Sequence, residues 1–218
     1  RLAGRYEQTV LPPFFADLVI VNEKNTPFDC PGHQDGLFFK KHPAGRYLYD
    51  FYGPHIFQSD ICNADVTLGD LLIHEGGLEA QDFAAEVFHA DKTYFVLNGS
   101  SSANKVVANA LLAPGDLVLY DRNNHKSVAI GASSRPALTG LFGNGPQSLC
   151  FIGGIDAHCF GEGYLRELAA ERNPEKAKAK RPFRLAVIQL DTYDGTLYNA
   201  RYVVDRIGHL CDYILFDS

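Results

Sequence analysis

Four short apolar runs constrain what this chain can fold into more than any other feature. They are TYFVL at 93–97, LVLY at 117–120, LAVIQL at 185–190 and YILFD at 213–217. Each reads as a strand, and TYFVL, a continuous apolar run, as one of the type buried on both faces of a parallel sheet. Helical patterns lie between them. Residues 101–112 end at Pro114-Gly115, residues 161–179 form a second stretch and residues 201–208 a third. Strands alternating with helices predict an α/β fold with a mostly parallel sheet flanked by helices.

Each run breaks into a polar loop at its C-terminal end: Asn98-Gly99-Ser100-Ser101-Ser102, Asp121-Arg122-Asn123-Asn124-His125, Asp191-Thr192-Tyr193-Asp194, and Asp217. In an open parallel sheet, ligands bind beyond the carboxyl ends of the strands, so the four loops are expected to converge on one ligand. The serine loop suits a phosphate: Gly99 permits close backbone approach, and hydroxyls and helix-start amides follow it. The competing reading is a serine-rich turn that only caps its helix. GSSSANK lacks the second glycine of a Walker A loop and is not GxGxxG, which disfavours ATP and dinucleotides. His125 is either a surface residue or a flat group to cover a ring. Asp217 at a buried strand end is expensive unless a cation lies beside it. A phosphate, a ring and a cationic nitrogen together describe pyridoxal phosphate.

The remaining sequence is less regular. Residues 1–15 read as a helix ended by Pro12-Pro13. Residues 26–36 form a Gly/Pro loop, and residues 37–63 mix aromatics without clear period, as connecting segments would. Phe83, Val87 and Phe88 have helical spacing within 68–90, marking an amphipathic helix. Residues 132–146 are rich in Gly, Ser and Pro and read as loop. Residues 1–65 are therefore taken as a linker or interface segment and 66–218 as the first part of a larger domain. At 218 residues, 46% of them apolar, the chain can bury a core. A net charge of −6 without a basic block disfavours nucleic-acid binding. EKAKAKR at 175–181 reads as a solvated helix end. Five scattered cysteines without a CxxC pair suggest reduced, buried thiols in a cytoplasmic protein, and no metal site. No apolar run reaches the roughly 18 residues of a membrane span. The absence of Met and the stop directly after an apolar run suggest a fragment.

The motifs NGSSSANK, DRNNHKS, TYDGTLYN and CDYILFDS resemble the bacterial inducible-type ornithine/lysine/arginine decarboxylases, which share the aspartate-aminotransferase fold. CPGHQDG, FFKKHPAGR, CNADVTLGDLLIHEG and FIGGIDAHCF are most similar to the ornithine branch, and the resemblance covers nearly the whole chain. It implies pyridoxal-phosphate-dependent conversion of ornithine to putrescine and carbon dioxide. By this resemblance Ser100 and Ser101, with Ser102, hold the cofactor phosphate. His125 stacks on the pyridine ring, Asp217 pairs with the ring nitrogen, and Thr192 and Asp194 support the cofactor. His33 approaches the substrate region. Ser100 stands where the family has Thr, and Asp191 where a small residue is expected. The family's Schiff-base lysine lies in a downstream Ser-x-His-Lys motif absent here; Lys126 aligns beside the stacking histidine and is not that lysine. The resemblance also implies at least a homodimer. Aromatics such as Phe38, Tyr47, Phe51 and Tyr52, which lack a period of their own, would serve as its contact surface. Lysine or arginine decarboxylation, or a non-catalytic assembly role, are the alternatives.

Overall fold

The computed structural model describes residues 10–24, 32–61, 75–121, 123–124, 148–152, 160–193 and 195–218. The chain divides into two compact units, Arg1–Phe95 and Val96–Ser218.

The first unit is helical. Helix α1 spans Pro13–Lys24, α2 Pro43–Tyr52, α3 Pro54–Gln58 and α4 Glu75–Val87, with a single 3-10 turn at Phe39–Lys41. The prolines start helices here. Val10 is helical and the chain breaks at Leu11-Pro12, as the expected helix stop requires; Pro13 then opens α1, and Pro43 and Pro54 open α2 and α3. Proline's fixed φ suits the first helical turn, where its missing N–H would have no partner anyway. Residues 37–63, expected to be irregular connections, are accordingly largely helical up to Gln58. His42 completes the start of α2 by accepting a hydrogen bond from Ala44 N at 3.2 Å.

A small aromatic cluster holds the turns of this unit together. Tyr49 stacks on Phe57 at 5.2 Å, and Phe39 lies 5.1 Å from the same ring. Gly36 sits against them with φ +80°; an added Cβ would meet the Tyr49 and Phe57 rings at 2.7–2.8 Å. Both the backbone conformation and the space therefore demand glycine.

Helix α4 exists as expected, but its buried face is different. Gly76, Gly77, Ala80, Gln81 and Ala85 are buried, whereas Phe83, Val87 and Phe88 are exposed. Small residues let α1 approach closely against α4. Gln81 Oε1 accepts the Phe95 amide at 2.9 Å.

Residues 93–97 depart most from expectation. TYFVL joins no strand among the described residues, and Tyr94, Phe95, Val96 and Leu97 are exposed. A continuous apolar run becomes a buried strand only where neighbours pair its backbone and cover both faces. The described residues provide no such neighbour.

The second unit is the α/β layer. Helix α5 spans Ser100–Leu111, β1 Leu117–Asp121, β2 Ser148–Ile152, α6 Glu162–Arg172 and α7 Pro174–Ala177. Then come β3 Phe183–Gln189, α8 Ala200–Ile207 and β4 Cys211–Asp217. The sheet order is β2-β1-β3-β4, every pairing parallel. Strand β2 was not foreseen. Its SLCFI run is brief and adjoins the Gly/Ser/Pro-rich stretch, although the Gly153-Gly154 that follows it is a strand-end signal. The expected loop at 132–146 lies outside the described residues, as do residues 1–9.

Each face of the sheet has its own core. Leu117 and Leu119 of β1, with Ala186 and Ile188 of β3, join Leu165, Ala169, Val203 and Ile207 from α6 and α8. Val118 and Tyr120, with Leu185 and Val187, meet Ala108 and Leu112 at the end of α5. The two-residue side-chain period of a strand thus feeds both layers. Because all strands run in one direction, Asp121, Gln189 and Asp217 end at the same edge. Gln189 and Asp217 are register partners.

Candidate functional site

The site begins at the start of α5. Gly99 precedes the helix at φ 83°, ψ 167°, and provides no side-chain cap. Ser102 N and Ala103 N both donate to Gly99 O, at 3.0 and 3.2 Å. The amides and hydroxyls of Ser100 and Ser101 have no hydrogen-bond partner among the described residues. Both serines are exposed. The serine-cap alternative therefore gives way to a helix start with available donors, the arrangement that accepts an anion. Ser102 differs, because its hydroxyl donates to Asn98 O at 3.0 Å.

Asp217 ends β4 on the α5 side of the sheet. Its backbone carbonyl accepts from Leu190 N at 2.7 Å and from Gln189 Nε2 at 3.0 Å. Its side-chain Oδ1 accepts from Asn104 Nδ2 of α5 at 3.1 Å. Asn104 is buried and lies one turn below Ser100 on the same face of the helix. Ser100 and Asp217 therefore belong to one corner of the unit, linked through Asn104. Tyr120, buried in β1, responds to the same corner. Burial pushes its phenol pKa upward, and the charges of Asp217 and Asp121 push it further.

The end of β1 is tied down by polar bonds. Asp121 is buried, and burial raises its carboxyl pKa despite the hydrogen bond its Oδ1 accepts from Asn123 N at 2.9 Å. Asn123 Nδ2 donates to the Tyr198 hydroxyl at 2.8 Å, and Asn124 Nδ2 to Val187 O at 2.8 Å. His125 follows directly but lies outside the described residues. In the loop after β3, Thr192 Oγ1 accepts Thr196 N at 3.0 Å and so stabilises its own turn. Asp194 also lies outside the described residues. Asp191 is exposed and bridges Leu197, so its charge stays in water.

His33 belongs to the first unit. Its Nδ1 accepts Gly36 N at 3.1 Å, and Nε2 lies 3.1 Å from Asp60 Oδ2. The ring packs near Phe39 and Phe57. Among the described residues there is no group of three His, Cys, Asp or Glu side chains placed to hold a metal, and no helix is long and apolar enough to cross a membrane.

Asn104 and Tyr120 were not singled out from the sequence. The available signal was the spacing in SSSANK, which puts an amide side chain on the Ser100 face four residues on. Nothing local, however, says which strand end it meets.

A helix start with unpaired donors among the described residues, linked through Asn104 to a strand-terminal carboxylate on an all-parallel sheet, defines an α/β layer. The chain belongs to the Orn/Lys/Arg decarboxylase family, matching its major domain over residues 12–218. It is 66% identical to an ornithine decarboxylase of Haemophilus influenzae and 63% identical to the constitutive ornithine decarboxylase of Escherichia coli. These alignments cover 99% of this chain but 30% and 31% of those relatives, so the chain spans about a third of their length. The fold also matches lysine decarboxylase A of Pseudomonas aeruginosa, with a TM-score of 0.82 at 32% identity over 99% of this chain and 29% of that one.

Proposed function

We propose that this chain is the front part of the cofactor-binding domain of a pyridoxal-phosphate-dependent L-ornithine decarboxylase. One observation carries the choice of substrate. Relatives named ornithine decarboxylases include four at 59–66% identity to this chain, whereas compared relatives named lysine or arginine decarboxylases lie at 30–38%. The corner around Ser100 and Asp217 fits the cofactor: free amides and hydroxyls for a phosphate, and a carboxylate for a cationic ring nitrogen.

Ser100 and Ser101 hold the phosphate with helix-start amides and hydroxyls, and Ser102 steadies that start through Asn98. His125 covers the ring. Asp217 keeps a proton on the ring nitrogen, and Thr192 and Asp194 shape the neighbouring loop. When bound, pyridoxal phosphate supplies an electron sink for the pair left as the carboxyl group departs. Ornithine loses carbon dioxide, gains a proton at the same carbon and becomes putrescine. Residues 1–65 serve as linker and interface in a cytoplasmic homodimer or larger homo-oligomer. Tyr47, Phe51, Tyr52 and Ile56 of that segment are exposed and give such an interface its apolar surface. Residues 66–218 form the first part of the large domain. These 218 residues hold no Ser-x-His-Lys motif, so by themselves they are expected to show no decarboxylase activity.

The test is product analysis of the full-length enzyme given ornithine, lysine or arginine. Ornithine is expected to win over lysine by roughly 10- to 200-fold in kcat/KM, the worth of one methylene in a fitted pocket. Preference for lysine or arginine would sink the substrate assignment. Failure to turn over any of the three would favour a non-catalytic assembly role.

A further inference from the structure

We infer that Asn104 is a positioning residue for the ring-nitrogen carboxylate: its side-chain amide, anchored on α5, holds Asp217 Oδ1 and aims the carboxylate. The inference rests on the cofactor reading above. Asn104 is 7% exposed, and its Nδ2 lies 3.1 Å from Asp217 Oδ1 across 113 residues of chain. The backbone of Asp217 is held separately, by Leu190 N and Gln189 Nε2. That leaves the side-chain torsions to be set by Asn104 alone among the described residues that donate to the carboxylate. Asn104 from α5 donates to this carboxylate and Tyr120 from β1 feels its charge, while Gln189 from β3 holds only the backbone carbonyl; no cation is among these groups.

The arrangement has a chemical logic. An ionised carboxylate has two oxygens and accepts only. One oxygen bonded to a rigid neutral donor fixes the plane of the group and leaves Oδ2 directed away from the donor. Oδ2 has no hydrogen bond among the described residues and remains for a ligand N–H. A neutral amide suits this task better than Lys or Arg, because a fixed cation would compete for the charge that the ring nitrogen needs. The same helix carries Ser100 one turn earlier, so a single rigid element positions both the phosphate end and the ring-nitrogen end of the site.

The experiment uses full-length holoenzyme loaded with pyridoxal phosphate 15N-labelled in the ring. Asn104→Leu keeps side-chain volume and removes the donor; Asp217→Asn is the reference. Both are expected to move the ring 15N resonance toward the unprotonated position. Asn104→Leu is also expected to lower kcat by roughly 10- to 100-fold, as for loss of a hydrogen bond to a charged group, with KM for ornithine unchanged. An unmoved resonance in folded Asn104→Leu, with a shift in Asp217→Asn, would overturn this inference alone. No shift in either variant would overturn the Asp217 reading as well. If Asn104→Leu does not fold, Asn104→Asp places a second carboxylate beside Asp217. The pair then shares a proton, and the 15N resonance should become pH-dependent across the carboxylate range. A flat response there refutes the role.

Discussion

Gly99→Ala tests the phosphate reading directly, because its two consequences differ in size and kind. Gly99 lies at φ 83°, ψ 167°, a region essentially reserved for glycine. Forcing an L-residue there costs on the order of 1–3 kcal/mol. An added Cβ meets no heavy atom of the described residues within 4 Å, so none of them adds a steric clash to that strain. Loss of apoprotein stability is therefore expected to stay near 1–3 kcal/mol, read from the urea midpoint. The cofactor is affected differently. Relaxing the strain rotates the start of α5 and misplaces the Ser100 and Ser101 amides. Losing one such bond to a charged phosphate is worth about 1.5–3 kcal/mol, or roughly a 10- to 100-fold weaker Kd. The assay is titration of full-length apoenzyme with pyridoxal phosphate and, separately, with pyridoxal lacking the phosphate. Weakening is expected for the first ligand only. Equal weakening of both, or none, would refute the claim that this helix start holds the phosphate.

In the full-length enzyme, Asp217→Asn should lower kcat by roughly 10- to 100-fold, the scale of a hydrogen bond to a charged group. Cofactor absorbance should be retained, and near-wild-type turnover would contradict the role. Asp116 bridges Ala113 N at 2.8 Å and Lys176 Nζ at 2.9 Å. Burial pushes its pKa up, but these two partners outweigh it and hold the folded value below the ordinary one. Its contribution is therefore present above the unfolded pKa and is lost as pH falls through the folded pKa. Asp116→Asn should remove about 1 kcal/mol or less at neutral pH, because the amide oxygen still accepts from Ala113 N without charge assistance and the lost ion pair is to a partly exposed Lys176. It should also flatten the acid limb of the stability–pH curve. An unchanged acid limb would count against this account. Cys211 is buried, and burial, aided by the Asp212 charge, raises its thiol to about 12. At neutral pH the thiol stays protonated, so peptide mapping after alkylation should find Cys211 modified only in denatured protein.

The two levels of reading divided according to the range of the interactions. Local pattern was sufficient for α5, α6, α8, β1, β3 and β4, because each has its own period, stop signal or apolar run. It was also sufficient for the shared edge of the strand ends, where parallel strands bring Asp121, Gln189 and Asp217 to one side; TYFVL adds no strand there among the described residues, and His125 and Asp194 lie outside them. The sequence by itself thus determined an α/β layer with polar loops at one edge and a glycine-led serine helix start. Tertiary structure decided what depends on partners. Helix α4 buries Gly76, Ala80 and Gln81 instead of Phe83 and Val87, because close approach of α1 rewards small side chains over large ones. TYFVL has strand composition but lacks a paired neighbour among the described residues, and composition cannot supply one. Pro13, Pro43 and Pro54 proved to be helix starts, a role that proline's fixed φ permits but does not dictate. The contact between Asn104 and Asp217 spans 113 residues. No periodicity encodes such a pair; it exists only because the fold brings Asn104 of α5 beside the last residue of β4.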